Sequence, residues 1–399
     1  MNNHFKNVII LVTFIFLTIF NSNFFIKNKL NTYFEIFSYL MLCCEVMYFL
    51  VKEKDDETNK TIIRFLVVFF LLSIGIMIQI GLPFNTKIRL LFTSFVIACV
   101  TTCSKKLLGS HGLIRMSAYG IMIGIAISSF LSLIAGIPLQ DVVKEGIFNI
   151  GFNGGIQYKN FFATTVLASF MGLYIYRKSE KKSVMDNVMM IIQVLLIFLS
   201  SSRGTMILLC FFFAFSNCGK FFKKYNKAIH SNTKIKTVTI TLTMVIIALT
   251  LCVGLHYVKN SSTYMYRARG VYNYVDFYKN DPYHLIFGDS KSAFEDPKVN
   301  YVWNIRKHLK KYDGSYEMGF INVLIKNGIV GLIGYLLIFV FYFKKFFQRR
   351  EKNIFIISLL VTLLFSSLVE SYVCNIHAIF GVFCYILINS LLFMEGGNK

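Results

Sequence analysis

The chain is short of nearly everything a water-soluble domain needs. Of its 399 residues only 16% are charged, against about 25% in an ordinary soluble domain. Proline occurs four times and tryptophan once. Acidic side chains number 20 against 42 basic ones, a formal charge of +22. All nine cysteines (Cys43, Cys44, Cys99, Cys103, Cys210, Cys218, Cys252, Cys374 and Cys384) fall within apolar runs or at their ends. The polar segments therefore hold no disulfide framework, and no pair of CxxC elements offers a zinc site. A GxxxxGK[ST] phosphate loop is missing, which argues against ATP hydrolysis. No internal repeat of about 20 to 50 residues is visible. Secreted disulfide scaffolds, coiled coils and disordered tails are all excluded.

What fills the chain instead is hydrophobic, 55% of it. Apolar runs of roughly 18 to 25 residues recur from Asn7 to Met394, each able to cross a hydrocarbon core about 30 Å thick. About twelve spans are read, near 7–26, 33–51, 61–80, 88–104, 113–136, 160–176, 186–201, 204–218, 237–256, 317–343, 354–371 and 376–394. The expectation is an all-α, polytopic integral membrane protein with one transmembrane domain over 1–399. Lys6 precedes the first run and no small-residue cleavage site comes before Lys27, so that run reads as an anchor.

Charge sets the orientation. With the N-terminus inside, the alternate inner segments hold 24 lysines and arginines, the short outer segments 8, and the long outer loop 10. Short loops decide orientation, so both termini are expected in the cytosol. The basic excess is read as topology and no nucleic-acid partner is expected. Abundant Lys, Asn, Ile and Phe fits an AT-rich bacterial genome, and hence a bacterial plasma membrane.

Two outer segments are longer than simple connections, 137–159 and 257–316. A structureless loop of about 60 residues is unusual, so the second is expected to fold and carry function. Within it Val271, Tyr274, Val275 and Tyr278 keep the spacing of an amphipathic helix lying at the interface. It carries ten tyrosines, three phenylalanines and Trp303, side chains that stack on sugars or sit in an interfacial aromatic belt.

Cytosolic chemistry has nowhere to reside: the acidic cluster Asp55, Asp56, Glu57 lies in a short hairpin, and every inner loop is too small for a nucleotide-sugar domain. The outer face is richer. Ser200-Ser201-Ser202-Arg203-Gly204-Thr205 puts an arginine where a new helix starts, and the free N–H groups and dipole there favour an anion. Arg203 is either a forked phosphate ligand or a snorkelling anchor. Arg267 and Arg269 are phosphate ligands or plain surface arginines. Glu317 stands at the mouth of a helix, as a general base or as an acid favoured by the dipole. Gly328, Gly331 and Gly334 read as close helix packing. Glu45 is expected to snorkel beside Lys52, and Glu370 and His377 sit at the outer ends of the last two spans.

Four elements resemble, in order and topology, the O-antigen polymerase and ligase superfamily. They are Lys159-Asn160-Phe161-Phe162-Ala163 opening a span; the SSSRG of Ser200 to Gly204; a large outer loop with Arg269 upstream of Pro282 and Phe287-Gly288-Asp289; and Glu317 eleven residues before Gly328-Ile329-Val330-Gly331. The resemblance covers about 150–345. It implies a GT-C-like inverting membrane glycosyltransferase acting on polyprenyl-pyrophosphate-linked oligosaccharides in the bilayer, without metal or nucleotide cofactor. Arg203 and Arg269 would hold the pyrophosphate, with Arg267 as the fallback. Glu317 would deprotonate the acceptor, while Lys159, Asn160, Asp289 and Trp303 would bind substrate. Ligases typically carry histidine at the Glu317 position, so the chain looks more like a capsule or exopolysaccharide repeat-unit polymerase, although Gly319 replaces an acid often found two residues on. Flippase and chain-length regulator proteins are the implied partners. The alternatives are a ligase passing finished glycan to another acceptor, and a flippase for the same lipid-linked sugars.

Overall fold

In the computed structural model, residues 3–52, 57–142, 150–180, 183–229, 274, 278–290, 318–349 and 353–394 are described. Thirteen helices and one small ribbon are found among them: α1 (Asn3–Ile19), α2 (Asn23–Lys27), α3 (Asn31–Lys52), α4 (Thr58–Ile78), α5 (Phe84–Cys103), α6 (His111–Ile134), β1 (Gln140–Val142), β2 (Ile150–Phe152), α7 (Lys159–Ser179), α8 (Val184–Leu199), α9 (Arg203–Ile229), α10 (Pro282–Phe287), α11 (Gly319–Gln348), α12 (Ile354–Val369) and α13 (Ile379–Phe393). Five described helices are long and apolar enough to cross a membrane: α3, α4, α5 with the turn that follows it, α6 and α11. Five further apolar helices are shorter. The run expected near 237–256 lies outside the described residues.

The exposed surface is that of a membrane-embedded helical protein. On α4 alone Ile63, Leu66, Val67, Phe70 and Met77 are exposed, and contiguous apolar area of this kind is not sustained in water. Inside, α13 is buried on every side from Ile379 to Leu392, as a helix without a polar face must be. It packs among α5, α7, α11 and α12.

Close approach is built where side chains are smallest. In α6, Gly120 and Gly124 are four residues apart, and a Cβ at either would come within 2.6 Å of Leu11 O or Thr18 Cβ in α1. Small residues at this spacing let two helix backbones meet.

The run expected over 7–26 is broken. α1 stops at Ile19, and Ser22 caps α2 by accepting from Phe24 N at 3.3 Å. Polar Asn21 and Ser22 turn the chain there: Gln157 N donates to Asn21 O, Asn23 N donates to Gly155 O at 2.7 Å, and Ser22 bridges to Ile156. The last span is likewise shorter than 376–394, because 374–378 is a turn before α13.

The helices give the bundle two ends. At one end β1 and β2 pair antiparallel, Asp141 opposite Gly151, together with the turns around 20–23, 79–83, 200–203, 278–290 and 370–378. We call this the hairpin end. At the opposite end Lys6 Nζ donates to Lys106 O at 3.4 Å, Lys345 meets Glu57 at 2.5 Å, and the Arg349 guanidinium donates to the carbonyls of Leu391 and Met394.

Candidate functional site

Two expected motifs, 42 residues apart, meet at the hairpin end. α8 ends at Leu199 and Ser201 takes a left-handed φ of 53°. That turn reverses the chain within two residues and lets α9 begin at Arg203. Ser200 fixes the turn, its Oγ donating to Ile197 O at 2.6 Å and accepting from Ser202 N at 3.2 Å. Ser202 Oγ then donates to Asn160 Oδ1 at 3.0 Å and lies 2.9 Å from Thr205 Oγ1. Lys159 Nζ reaches Ser201 O at 3.5 Å.

Lys159 and Arg203 are each the first residue of a helix, so two N-terminal dipoles and two cations share one place. Burial and the neighbouring Arg203 charge hold the Lys159 ammonium below its usual range, against the opposing pull of Asp141. Asp141 comes from the ribbon: its Oδ2 accepts from Lys159 N at 2.8 Å and its Oδ1 from Asn153 Nδ2 at 2.8 Å. A carboxylate from elsewhere in the chain thus caps α7. The serines of the turn are buried, whereas Arg203 is exposed beside them. An exposed arginine, a lysine and two helix N-termini make a surface suited to an oxyanion.

The third and fourth elements also meet, as a lock. Asp281 accepts from His284 N at 3.2 Å and Pro282 starts α10, the chemistry expected of a helix start. Gly288 follows at φ 88° and faces Gly328, at φ 67°, inside α11; a Cβ on Gly328 would lie 2.1 Å from Ile286 O. Neither position accepts a side chain. Gln79, at the end of α4, ties both segments: its Nε2 donates to Phe287 O and Lys326 O, and its Oε1 accepts from Ser290 N. Asp289 N donates to Ile325 O at 2.7 Å, and Asp289 Oδ2 accepts from the Tyr278 hydroxyl at 2.8 Å. Tyr274 and Tyr278 of the expected interfacial helix are buried, with ring centroids 4.9 Å apart. Val271, Val275, Arg267, Arg269, Trp303 and Glu317 lie outside the described residues. The helix expected to open at 317 is α11, with Met318 before its first residue Gly319. Of the expected packing glycines, Gly334 meets Leu71 and Leu72 of α4.

A cavity of about 240 Å³ at the same end was not anticipated. It is lined by α4, α5, α11 and the segment 371–377, with Arg89, Lys326 and His377 among its wall residues. Glu35 organises one wall: its Oε1 lies 2.5 Å from His377 Nδ1 and its Oε2 3.8 Å from Arg89 Nη2, which in turn is 3.2 Å from His377 Nε2. The sequence signal for this site was a lysine inside an apolar run, which is costly unless used. The segment 371–377 joins the two places, since Tyr372 packs against Phe161 of α7 at 6.0 Å. Elsewhere Glu45 accepts from Thr13 Oγ1, while Lys52 Nζ donates to the Tyr48 hydroxyl at 3.2 Å. The backbone N–H of Glu370 closes α12 by donating to Ser366 O. Compared with known families, curated proteins and solved structures, the chain matches none.

Proposed function

We propose that the chain is a membrane glycosyltransferase that polymerises polyprenyl-pyrophosphate-linked oligosaccharide repeat units on the outer face of a bacterial plasma membrane. The observation that carries this reading is the meeting of Lys159, Asn160 and Arg203 at two helix N-termini on one end of the bundle. That end is the outer one by the 24 to 8 distribution of basic residues.

In this reading Arg203 and Lys159 grip the donor pyrophosphate, and Arg269 joins them from the long loop. Glu317 takes the proton of an acceptor hydroxyl as its oxygen attacks the anomeric carbon. The C–O bond to pyrophosphate breaks on the opposite face, the lipid pyrophosphate leaves with the electron pair, and the new linkage is inverted. Two or three charge-assisted contacts of about 1.5 to 3 kcal/mol each stabilise the departing charge.

Glu317→Gln keeps shape and removes the base, so polymer formation should fall by about 10² to 10⁴. Cells should retain single repeat units on lipid carrier at the outer face. Single units facing the cytosol would make the chain a flippase, and long polymer that never reaches its acceptor would make it a ligase. The orientation has its own test. A cysteine placed at exposed Asn280 should react with an impermeant thiol reagent in intact cells, and one at Lys181 should not. The reverse labelling would put the hairpin end in the cytosol.

A further inference from the structure

We propose that the cavity between α4, α5, α11 and the segment 371–377 is a second oxyanion site, for a phosphate-class group, separate from the Lys159–Arg203 cluster. The proposal stands without the polymerase reading.

The wall carries two basic side chains, Arg89 and Lys326, and no carboxylate among its described lining residues. Two of its three asparagines, Asn322 and Asn375, have their amide oxygens engaged, whereas Asn327 donates its Nδ2 to Leu72 O. Asn322 Oδ1 is engaged by Cys374 Sγ at 3.5 Å and Asn375 Oδ1 by His377 N at 3.0 Å. The groups these two asparagines still bring to the cavity are their N–H functions. His377 Nδ1 lies 2.5 Å from Glu35 Oε1, and its Nε2, 3.2 Å from Arg89 Nη2, can only accept from a guanidinium. This chain of contacts steadies the arginine from behind. A cavity wall that carries Arg89 and Lys326 beside asparagine amides suits a ligand rich in acceptor oxygens.

Charge and size narrow the class. A phosphate monoester carries about −1.5 to −2 at neutral pH and presents several oxygens to the forked guanidinium. The volume of about 240 Å³ is below the roughly 300 to 1,000 Å³ of pockets that hold a whole drug-sized ligand. It accommodates a head group, not an oligosaccharide. Arg89 lies near the start of α5 and His377 just before α13, which sets the site at the hairpin end, within reach of either a lipid phosphate or a free anion.

The test uses the full-length chain carrying Lys159→Gln and Arg203→Gln, so that the first cluster contributes no binding. Two probes are titrated by calorimetry: inorganic pyrophosphate against detergent-purified protein, and phosphatidic acid in nanodiscs against phosphatidylcholine alone. At least one should bind. Pyrophosphate binding identifies a site open to free anions, and phosphatidic acid binding alone identifies a lipid head group. Adding Lys326→Gln or Arg89→Gln should weaken that binding about tenfold or more. Asn375→Asp keeps volume and the hydrogen bond from His377 N but plants a negative charge in the wall, and should weaken binding to a similar degree with an unchanged unfolding midpoint. No binding of either probe, or binding indifferent to both Lys326→Gln and Asn375→Asp, would overturn the site. In either case the polymerase reading would stand or fall on Glu317→Gln alone.

Discussion

The two ends of the bundle use basic side chains in opposite ways. At the end that holds Lys6 and Met394, cations are tied into structure. Lys345 is paired with Glu57, and Arg349 caps the last helix by donating to two of its carbonyls. Arg115 binds Asp186 at 2.9 Å and stacks near Tyr119 and Tyr176. At the hairpin end cations are brought together. Lys159 and Arg203 feel one another's charge across a serine turn, and Arg89 and Lys326 share a cavity. Gathering like charges costs folding energy, which on the proposed reading an arriving anion offsets. Removing a basic side chain should therefore weaken the fold at one end and the activity at the other.

Arg115→Met tests the first half and should show the largest effect. It strands Asp186, whose side chain is 0% exposed and retains the Tyr119 hydroxyl at 2.7 Å. Breaking a buried pair from one side costs about 3 to 5 kcal/mol, with the lower end expected because Arg115 is itself half-buried. The unfolding midpoint in detergent should drop markedly while activity per folded molecule persists. A midpoint unchanged from the native chain would remove the contrast between the ends.

Arg203 tests the second half. Arg203→Lys keeps charge but loses the two-pronged geometry, so both Arg203→Lys and Arg203→Ala should cut polymer formation about ten- to a hundredfold, the worth of one desolvated charge-assisted contact. Abundance in the membrane and thermal midpoint should stay near native. Full-length polymer from Arg203→Ala at matched expression would reduce this arginine to an interfacial anchor.

The smallest effect belongs to the Lys345–Glu57 pair, whose side chains are 21% and 34% exposed. The hydrogen bond from Lys345 holds the Glu57 carboxyl below its ordinary value of 4.5. An acid depressed in the folded state stabilises it above the unfolded value, and that gain is lost as pH falls through the folded value. Lys345→Met should thus lower stability by less than about 1 kcal/mol at neutral pH. The difference from the native chain should close on acidification below the carboxylate range. A difference that persists there would mean packing of the lysine stem and not charge.

Much of the bundle was legible as hydropathy because a helix in lipid satisfies its own backbone and needs only an apolar surface. The breaks were less so. Nothing in the run over 7–26 announced that Asn21 and Ser22 would stop α1, because the turn is secured by Gly155 and Ile156, far along the chain. Glu45 was read with Lys52, a neighbour on its own helix, whereas the structure bonds it to Thr13 across a helix interface. Periodicity describes one helix at a time and carries no information about which face of another helix arrives.

The sequence by itself determined the apolar helices, the skewed charge and the short motifs at 159–160, 200–204, 287–289 and 328–331, since each is a local property of consecutive residues. Only the tertiary structure decided that these motifs join in pairs. Asn160 meets Ser202 because α7 and α9 start at the same end of the bundle, and Gly288 seats on Gly328 because both lack the Cβ that would keep their backbones apart. The cavity was beyond sequence reading altogether. Glu35, Arg89, Lys326 and His377 come from four separate segments, and only packing brings them to one place.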